Sequence, residues 1–127
     1  MDTPLKNLRR MVCATVTLPA FHNWPGAPED VGYLASRHRH LLTVRVWVRT
    51  DHGDREVEFH QLQRRVRAVL FSVFPSPEPG EIELGARSCE HVAEVLFENA
   101  AALCVEPDRI EVWEDNENGA TVFGGGS

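Results

Sequence analysis

Three histidines carry the strongest suggestion of chemistry in this chain. His38 and His40 stand two apart at the head of an extended segment with alternating apolar residues. In a strand, residues i and i+2 project to one face about 6.5–7 Å apart, so two imidazoles there can converge on one ion. A third ligand has to come from a neighbouring strand. His22, sixteen positions before His38, ends the preceding extended segment. If the two strands pair, the three rings meet at one end of a sheet. Three imidazoles with an open coordination position make a catalytic zinc arrangement. Imidazole also suits other transition metals, so zinc is a preference drawn from ligand type. The same residues also suit a plainer reading, in which Arg37-His38-Arg39-His40 is a basic surface stretch and His22 lies in a loop.

Two further groups deserve a chemical reading. Glu114 closes an apolar strand just before a turn, and a carboxylate so placed can accept two parallel N–H bonds from a planar heterocycle. An exposed hairpin acid fits the position equally. Ser88-Cys89-Glu90 opens a helix. Ser88 suits an N-cap and Glu90 the positive end of the helix dipole, while Cys89 falls on the apolar stripe, where a thiol is more often buried than reactive. Trp24, Trp47 and Trp113 read as packing groups.

The elements that must position these residues follow from periodicity. Met11 to Leu18 alternates with Val12, Ala14, Val16 and Leu18 on one side and runs on to His22. The segment Asn23-Trp24-Pro25-Gly26-Ala27-Pro28 is a loop. Leu42, Val44, Val46 and Val48 form one face of a second strand, with Thr43, Arg45, Trp47 and Arg49 on the other. Asp51 to Asp54 is a turn, and Arg55 to Phe59 reads as a short return strand. Leu62, Val66, Val69, Leu70 and Val73 recur at helical spacing, and Pro75, Pro77, Pro79 and Gly80 stop that helix. A loop is expected to about Arg87, then a second helix with Cys89, Val92, Ala93, Leu96, Ala100 and Leu103 on its apolar stripe. Ile110 and Val112 begin another strand. Asn116-Glu117-Asn118-Gly119 reads as a hairpin turn on its Asn-Gly signal, and Ala120 to Phe123 as the last strand. The expected architecture is therefore α+β: a four-stranded antiparallel sheet in the order ββααββ with two helices on one face.

Composition bounds the rest. The chain has 127 residues, a length that suits one domain, expected over residues 11–123 between an N-terminal segment 1–10 and a flexible Gly-rich tail 124–127. A net charge of -6 disfavours a nucleic-acid partner, whose binding rests on phosphate neutralisation. The arginines at 37, 39, 45 and 49, and at 64, 65 and 67, read as a solvated face. No apolar run reaches the roughly 20 residues that span a bilayer, and Met1 to Arg10 has no secretory pattern. Cys13, Cys89 and Cys104 are odd in number and widely spaced, which points to reduced thiols and a cytoplasmic setting.

Taken in order, the motifs resemble the 6-pyruvoyl-tetrahydropterin synthase / 6-carboxy-tetrahydropterin synthase family from about Met11 to Phe123. That family has a histidine ending its first strand and a His-Gly-His opening its second, at a spacing similar to His22 and His38-Arg39-His40. Its first helix opens on an Asp-Phe pair, as Glu58-Phe59 would here, and its second on a Thr/Ser-rich segment ending in Glu, as in Ser88-Cys89-Glu90. Its last hairpin carries the glutamate that anchors the pterin ring, at the position of Glu114. The resemblance implies the tunnelling fold, zinc on His22, His38 and His40, ligand contacts from Glu114, Ser88, Cys89 and Glu90, and assembly into homo-oligomeric rings such as hexamers. Departures stand beside these matches. The family's catalytic cysteine falls on Leu34, its Asp-His pair on Val73 to Glu78, its central glycine on Arg39, and the threonine after the glutamate on Asp115.

The resemblance therefore implies a metal-dependent, lyase-like enzyme acting on a pterin or deazapurine-precursor heterocycle, with proton transfer left to a residue such as Asp51, His52, His60 or His91. Two alternatives stand: a non-catalytic ligand-binding or structural ring subunit of the same fold, and a carrier that uses its C-terminal glycines after removal of Ser127.

Overall fold

The computed structural model describes residues 7–125. Strand β1, Arg10–His22, and strand β2, His38–Thr50, form an unbroken antiparallel ladder from Arg10 opposite Thr50 to His22 opposite His38. The alternation expected of them is realised: Ala14, Val16, Leu18 and Ala20 of β1 and Leu42, Val44, Val46 and Val48 of β2 are all buried on one face. The connection between them contains 3₁₀ turns over Glu29–Ala35. Its two ends are tied where the Trp24 amide donates to the Leu34 carbonyl at 2.8 Å.

Arg55 to Phe59 is not a strand. Arg55 has φ 52°, which breaks an extended run, and Glu58 is the N-cap of helix α1, Phe59–Val73. The Glu58 carboxylate accepts from the amides of His60 and Gln61 at 2.8 and 3.1 Å. Those amides have no carbonyl partner inside the helix, so capping recruits Phe59 into the first turn. Leu62, Val66, Val69 and Leu70 are buried as the spacing required.

The expected loop to Arg87 contains a short strand, β3, Ile82–Gly85. It lies parallel to the end of β1, with Ala20 opposite Ile82. The four-stranded antiparallel expectation is therefore corrected to a five-stranded mixed sheet in the order β3-β1-β2-β4-β5. Two apolar residues, Ile82 and Leu84, are too few for a periodic signal, and Glu81 and Glu83 mask them; both are buried nonetheless.

Ser88 caps helix α2, Cys89–Glu98, and the chain breaks at Asn99 before the single turn of α3, Ala100–Leu103. Cys89, Val92, Ala93, Leu96 and Leu103 enter the same core as the strands. Both principal helices thus cover one sheet face, as the pattern implied. Strands β4, Arg109–Glu114, and β5, Asn118–Phe123, complete the sheet. Their turn is Glu114 to Glu117, two residues earlier than the expected Asn116–Gly119: Asp115 and Asn116 hold φ of 53° and 58°, and the Glu117 amide donates to the Glu114 carbonyl at 3.0 Å. Gly119 instead lies within β5.

Among the described residues no helix is long and apolar enough to cross a membrane. Of the glycine tail, Gly124 donates its amide to the Asp108 carbonyl at 2.8 Å. Gly126, Ser127 and most of the expected N-terminal segment lie outside the described residues.

Candidate metal centre

Strand alternation builds this site. His22 continues the stripe of Leu18 and Ala20, His38 and His40 extend the stripe of Leu42 and Val44, and Glu114 follows Ile110 and Val112. Leu42 stands opposite Glu114 in the ladder and His22 opposite His38. Three neighbouring strands therefore end on the same face, at the same edge of the core, with a polar residue each.

The three imidazoles cluster there, edge to face, with ring centroids 4.5, 4.7 and 4.8 Å apart. One nitrogen from each lies within 4.8 Å of the others. The outward nitrogens of His38 and His40 are engaged. His38 Nδ1 is 2.7 Å from the Ser36 carbonyl oxygen, and His40 Nδ1 is 2.6 Å from Asp115 Oδ2. Both partners only accept, so both Nδ1 atoms carry the proton. The inward Nε2 atoms of His38 and His40 are buried with no hydrogen-bond partner. Buried polar atoms normally find one.

Glu114 adds negative charge at this point. Its Oε2 is 3.0 Å from His40 Nε2 and 3.9 Å from His22 Nε2. Inward nitrogens beside a carboxylate oxygen form a donor set suited to a cation, and three imidazoles match zinc and its neighbours in the first transition row. Desolvation lowers the His22 pKa below the ordinary histidine value, against the opposing pull of Glu114, and so favours its neutral, ligating form.

The other oxygen of Glu114, Oε1, accepts the Cys89 thiol proton at 3.2 Å. Desolvation first, and then the Glu114 charge, push the Cys89 pKa up to about 12. Ser88 uses its Oγ to accept from the His91 amide at 3.3 Å. A cleft of about 730 Å³ opens over these groups, and Trp24, Tyr33, Leu34, Glu90, His91 and Asn118 contribute to its walls.

The structure thus brings His22, His38, His40, Glu114, Ser88, Cys89 and Glu90 around one cleft. Of the residues named for proton transfer, His91 lines it. His52 and His60 sit instead beside Glu56 and Glu58, and Asp51 donates its amide to Glu56 at 2.8 Å. The arginine stretch is partly paired, Arg37 with Glu83 at 2.7 Å and Arg49 with Asp108 at 3.2 Å. Sequence reasoning gave no role to Tyr33 or Asp115. Tyr33 sits in a loop without periodicity, and Asp115 meets His40 only through the register of β2 on β4.

No family model matches the chain, and no curated protein matches it in sequence. Solved structures do. The 6-pyruvoyl tetrahydropterin synthase of Caenorhabditis elegans superposes with a TM-score of 0.62 at 14% identity, covering 92% of this chain and 96% of that one. An uncharacterized protein from Wolinella succinogenes gives 0.64 at 13% identity, over 92% and 99%. A catalytic-residue mutant of the Plasmodium vivax 6-pyruvoyltetrahydropterin synthase gives 0.58 at 14% identity, over 91% and 98%. This chain has the fold of those synthases.

Proposed function

We propose that this chain is a divergent protein of the 6-pyruvoyl- / 6-carboxy-tetrahydropterin synthase type, holding zinc on His22, His38 and His40 and binding a pterin-like or deazapurine-precursor heterocycle in the adjoining cleft. The observation that carries this reading is the convergence of one nitrogen from each of His22, His38 and His40 within 4.8 Å, with the buried Nε2 of His38 making no hydrogen bond. The shared fold supports it. Zinc in that position supplies Lewis acidity toward a substrate oxygen or a bound water.

The chain's own groups supply the rest. Glu114 accepts N–H bonds from the edge of the planar ring, a geometry two carboxylate oxygens favour. The Cys89 thiol, donating to Oε1, steadies that carboxylate and yields to a ring N–H. Ser88 and Glu90 border the ring at the start of α2. His91 is placed to exchange a proton with a bound ligand. The protein works as a homo-oligomeric ring.

A second reading, a ligand-binding or structural ring subunit without turnover, draws on two facts. Leu34 lines the cleft where the resemblance puts a cysteine, and Cys89, which also lines it, is held as the neutral thiol.

Metal analysis of the purified protein beside His38→Ala tests the site, with thermal shift against pterins and an assay with dihydroneopterin triphosphate alongside. Stoichiometric zinc that His38→Ala loses, with pterin-dependent stabilisation, supports the proposal. Failure to take up metal when zinc is supplied defeats it. Turnover selects the enzyme, and binding without turnover selects the second reading.

A further inference from the structure

We infer that Asp115 is a positioning residue for the metal: it locks His40 in the tautomer that turns a lone pair inward. The inference rests on the proposed zinc site and adds a residue to it. Asp115 occupies the first central position of the β4–β5 turn, at φ 53°, a left-handed conformation that Asp and Asn tolerate better than most side chains. Its amide donates to the Leu41 carbonyl at 2.8 Å. Its Oδ1 accepts from the Leu41 amide, also at 2.8 Å. This exchange extends the β2–β4 pairing one residue beyond Leu42 and Glu114 and immobilises the carboxylate against β2.

With Oδ1 so occupied, Oδ2 lies 2.6 Å from His40 Nδ1. A carboxylate accepts but does not donate, so the proton resides on Nδ1. Nε2, buried and 3.0 Å from Glu114 Oε2 without forming a hydrogen bond to it, keeps its lone pair as a donor to a metal. The carboxylate also fixes the orientation of the ring, as carboxylates behind metal-binding histidines do. Asp115 meets His40 at Nδ1, the ring nitrogen opposite the inward Nε2. His38 has its own lock, the Ser36 carbonyl, so the two adjacent ligands are oriented independently, one by a backbone group and one by a side chain.

Asp115→Asn separates orientation from folding. The amide oxygen keeps the bond from the Leu41 amide, and Asn keeps the left-handed turn. The NH2 group that replaces Oδ2 can only donate to His40 Nδ1. The proton moves to Nε2, where it blocks the metal. Two measurements follow, on wild type and Asp115→Asn: zinc affinity by chelator competition, and the long-range ¹H–¹⁵N spectrum of the histidine rings in metal-free protein. The expected result is about a 10- to 100-fold weaker zinc affinity in the variant. His40 should be protonated at Nδ1 in wild type and at Nε2 in the variant, with the His38 pattern unchanged. A wild-type spectrum with His40 protonated at Nε2 overturns the inference, and so does equal zinc affinity in the two proteins. A wild type that takes up no zinc yet shows the Nδ1–H tautomer defeats the metal reading while leaving the Asp115–His40 lock standing.

Discussion

Cys89, the first residue of α2, donates its thiol proton to Oε1 of Glu114, the last residue of β4, across 3.2 Å. A helix start and a strand end are thereby joined beside the histidine cluster. The thiol acts as a donor here because desolvation and the Glu114 charge disfavour its ionised form.

The consequence is a cysteine that resists alkylation in the native state. With its pKa pushed up to about 12, only ~1 in 10⁴ of Cys89 is thiolate at pH 8. Cys104 is exposed and should react with iodoacetamide far faster, as peptide mass spectrometry at timed quenches would show. The sign of the pH effect follows from linkage. A thiol whose folded pKa exceeds its unfolded value lends stability that is complete below the unfolded pKa, near 9, and disappears as pH climbs from there toward 12. Cys89→Ser should flatten the fall in stability over that interval. Equal alkylation rates for Cys89 and Cys104 in folded protein would contradict this account.

Zinc should stabilise the native state, because the three ligands are assembled only when β1 and β2 pair. Free zinc at about 100 times its Kd contributes about 2.7 kcal/mol. Calorimetry of chelator-treated protein should show Tm rising with added zinc, while His22→Ala melts at the same temperature with and without the ion. A Tm indifferent to zinc in wild type would count against the site.

Strand β3 makes a separate prediction. Ile82 is fully buried and is held against β1 by parallel pairing with Ala20. Ile82→Ala should destabilise the fold by about 2–5 kcal/mol in urea denaturation, as cavity-forming substitutions in a packed core do. A change below about 0.5 kcal/mol, normal for a surface loop, would mean that residues 82–85 are not part of the sheet.

The helix cap at Glu58 gives an acid-side signature. Its carboxylate pKa is lowered chiefly by the His60 amide, with the Gln61 amide adding to it. A lowered folded pKa lends stability that is present above the ordinary glutamate range and is lost as pH falls through the folded value. Glu58→Gln should melt below wild type at pH 7, and the two Tm curves should converge under acid. Curves that stay parallel down to pH 3 would show that the cap's charge does nothing for α1.

What the sequence made legible was alternation and spacing. The i, i+2 pair of His38 and His40, the stripe running into His22 and the stripe ending at Glu114 are all readable from parity, because strand side chains alternate strictly. Whether those strands are neighbours is a matter of sheet order, which parity leaves open. Strand β3 escaped because two apolar residues make no period. The Arg55–Phe59 segment misled because Glu58 satisfies helix amides through its side chain, a contact that hydrophobic pattern does not report. Asp115 escaped for a similar reason: its partner His40 is 75 residues away and is reached only once β2 and β4 are in register.

The β4–β5 hairpin shows how one glycine can be mistaken for a turn signal. Asn118-Gly119 matches the dipeptide favoured in tight hairpins, yet the turn is made by Asp115 and Asn116, and Gly119 stands opposite Trp113 within the ladder. Its role is close approach. A Cβ at that position would fall 2.6 Å from the Val112 carbonyl oxygen and 2.6 Å from Trp113 Cδ2. The carbonyl belongs to the backbone of β4 and cannot step aside without disturbing its pairing with β5. The indole can move only by giving up the hydrogen bond from Trp113 Nε1 to Glu111, 3.0 Å long. Gly119→Ala should therefore destabilise the fold by about 1–3 kcal/mol, the usual penalty for forcing a methyl into packed structure. Intrinsic tryptophan fluorescence should shift as the indole is displaced. Because Gly119 also borders the cleft, binding of any heterocycle anchored by Glu114 should weaken in the same variant. Wild-type stability with an unshifted emission spectrum would show that β5 accommodates a side chain there, and that the Asn-Gly pair is present for some reason other than space.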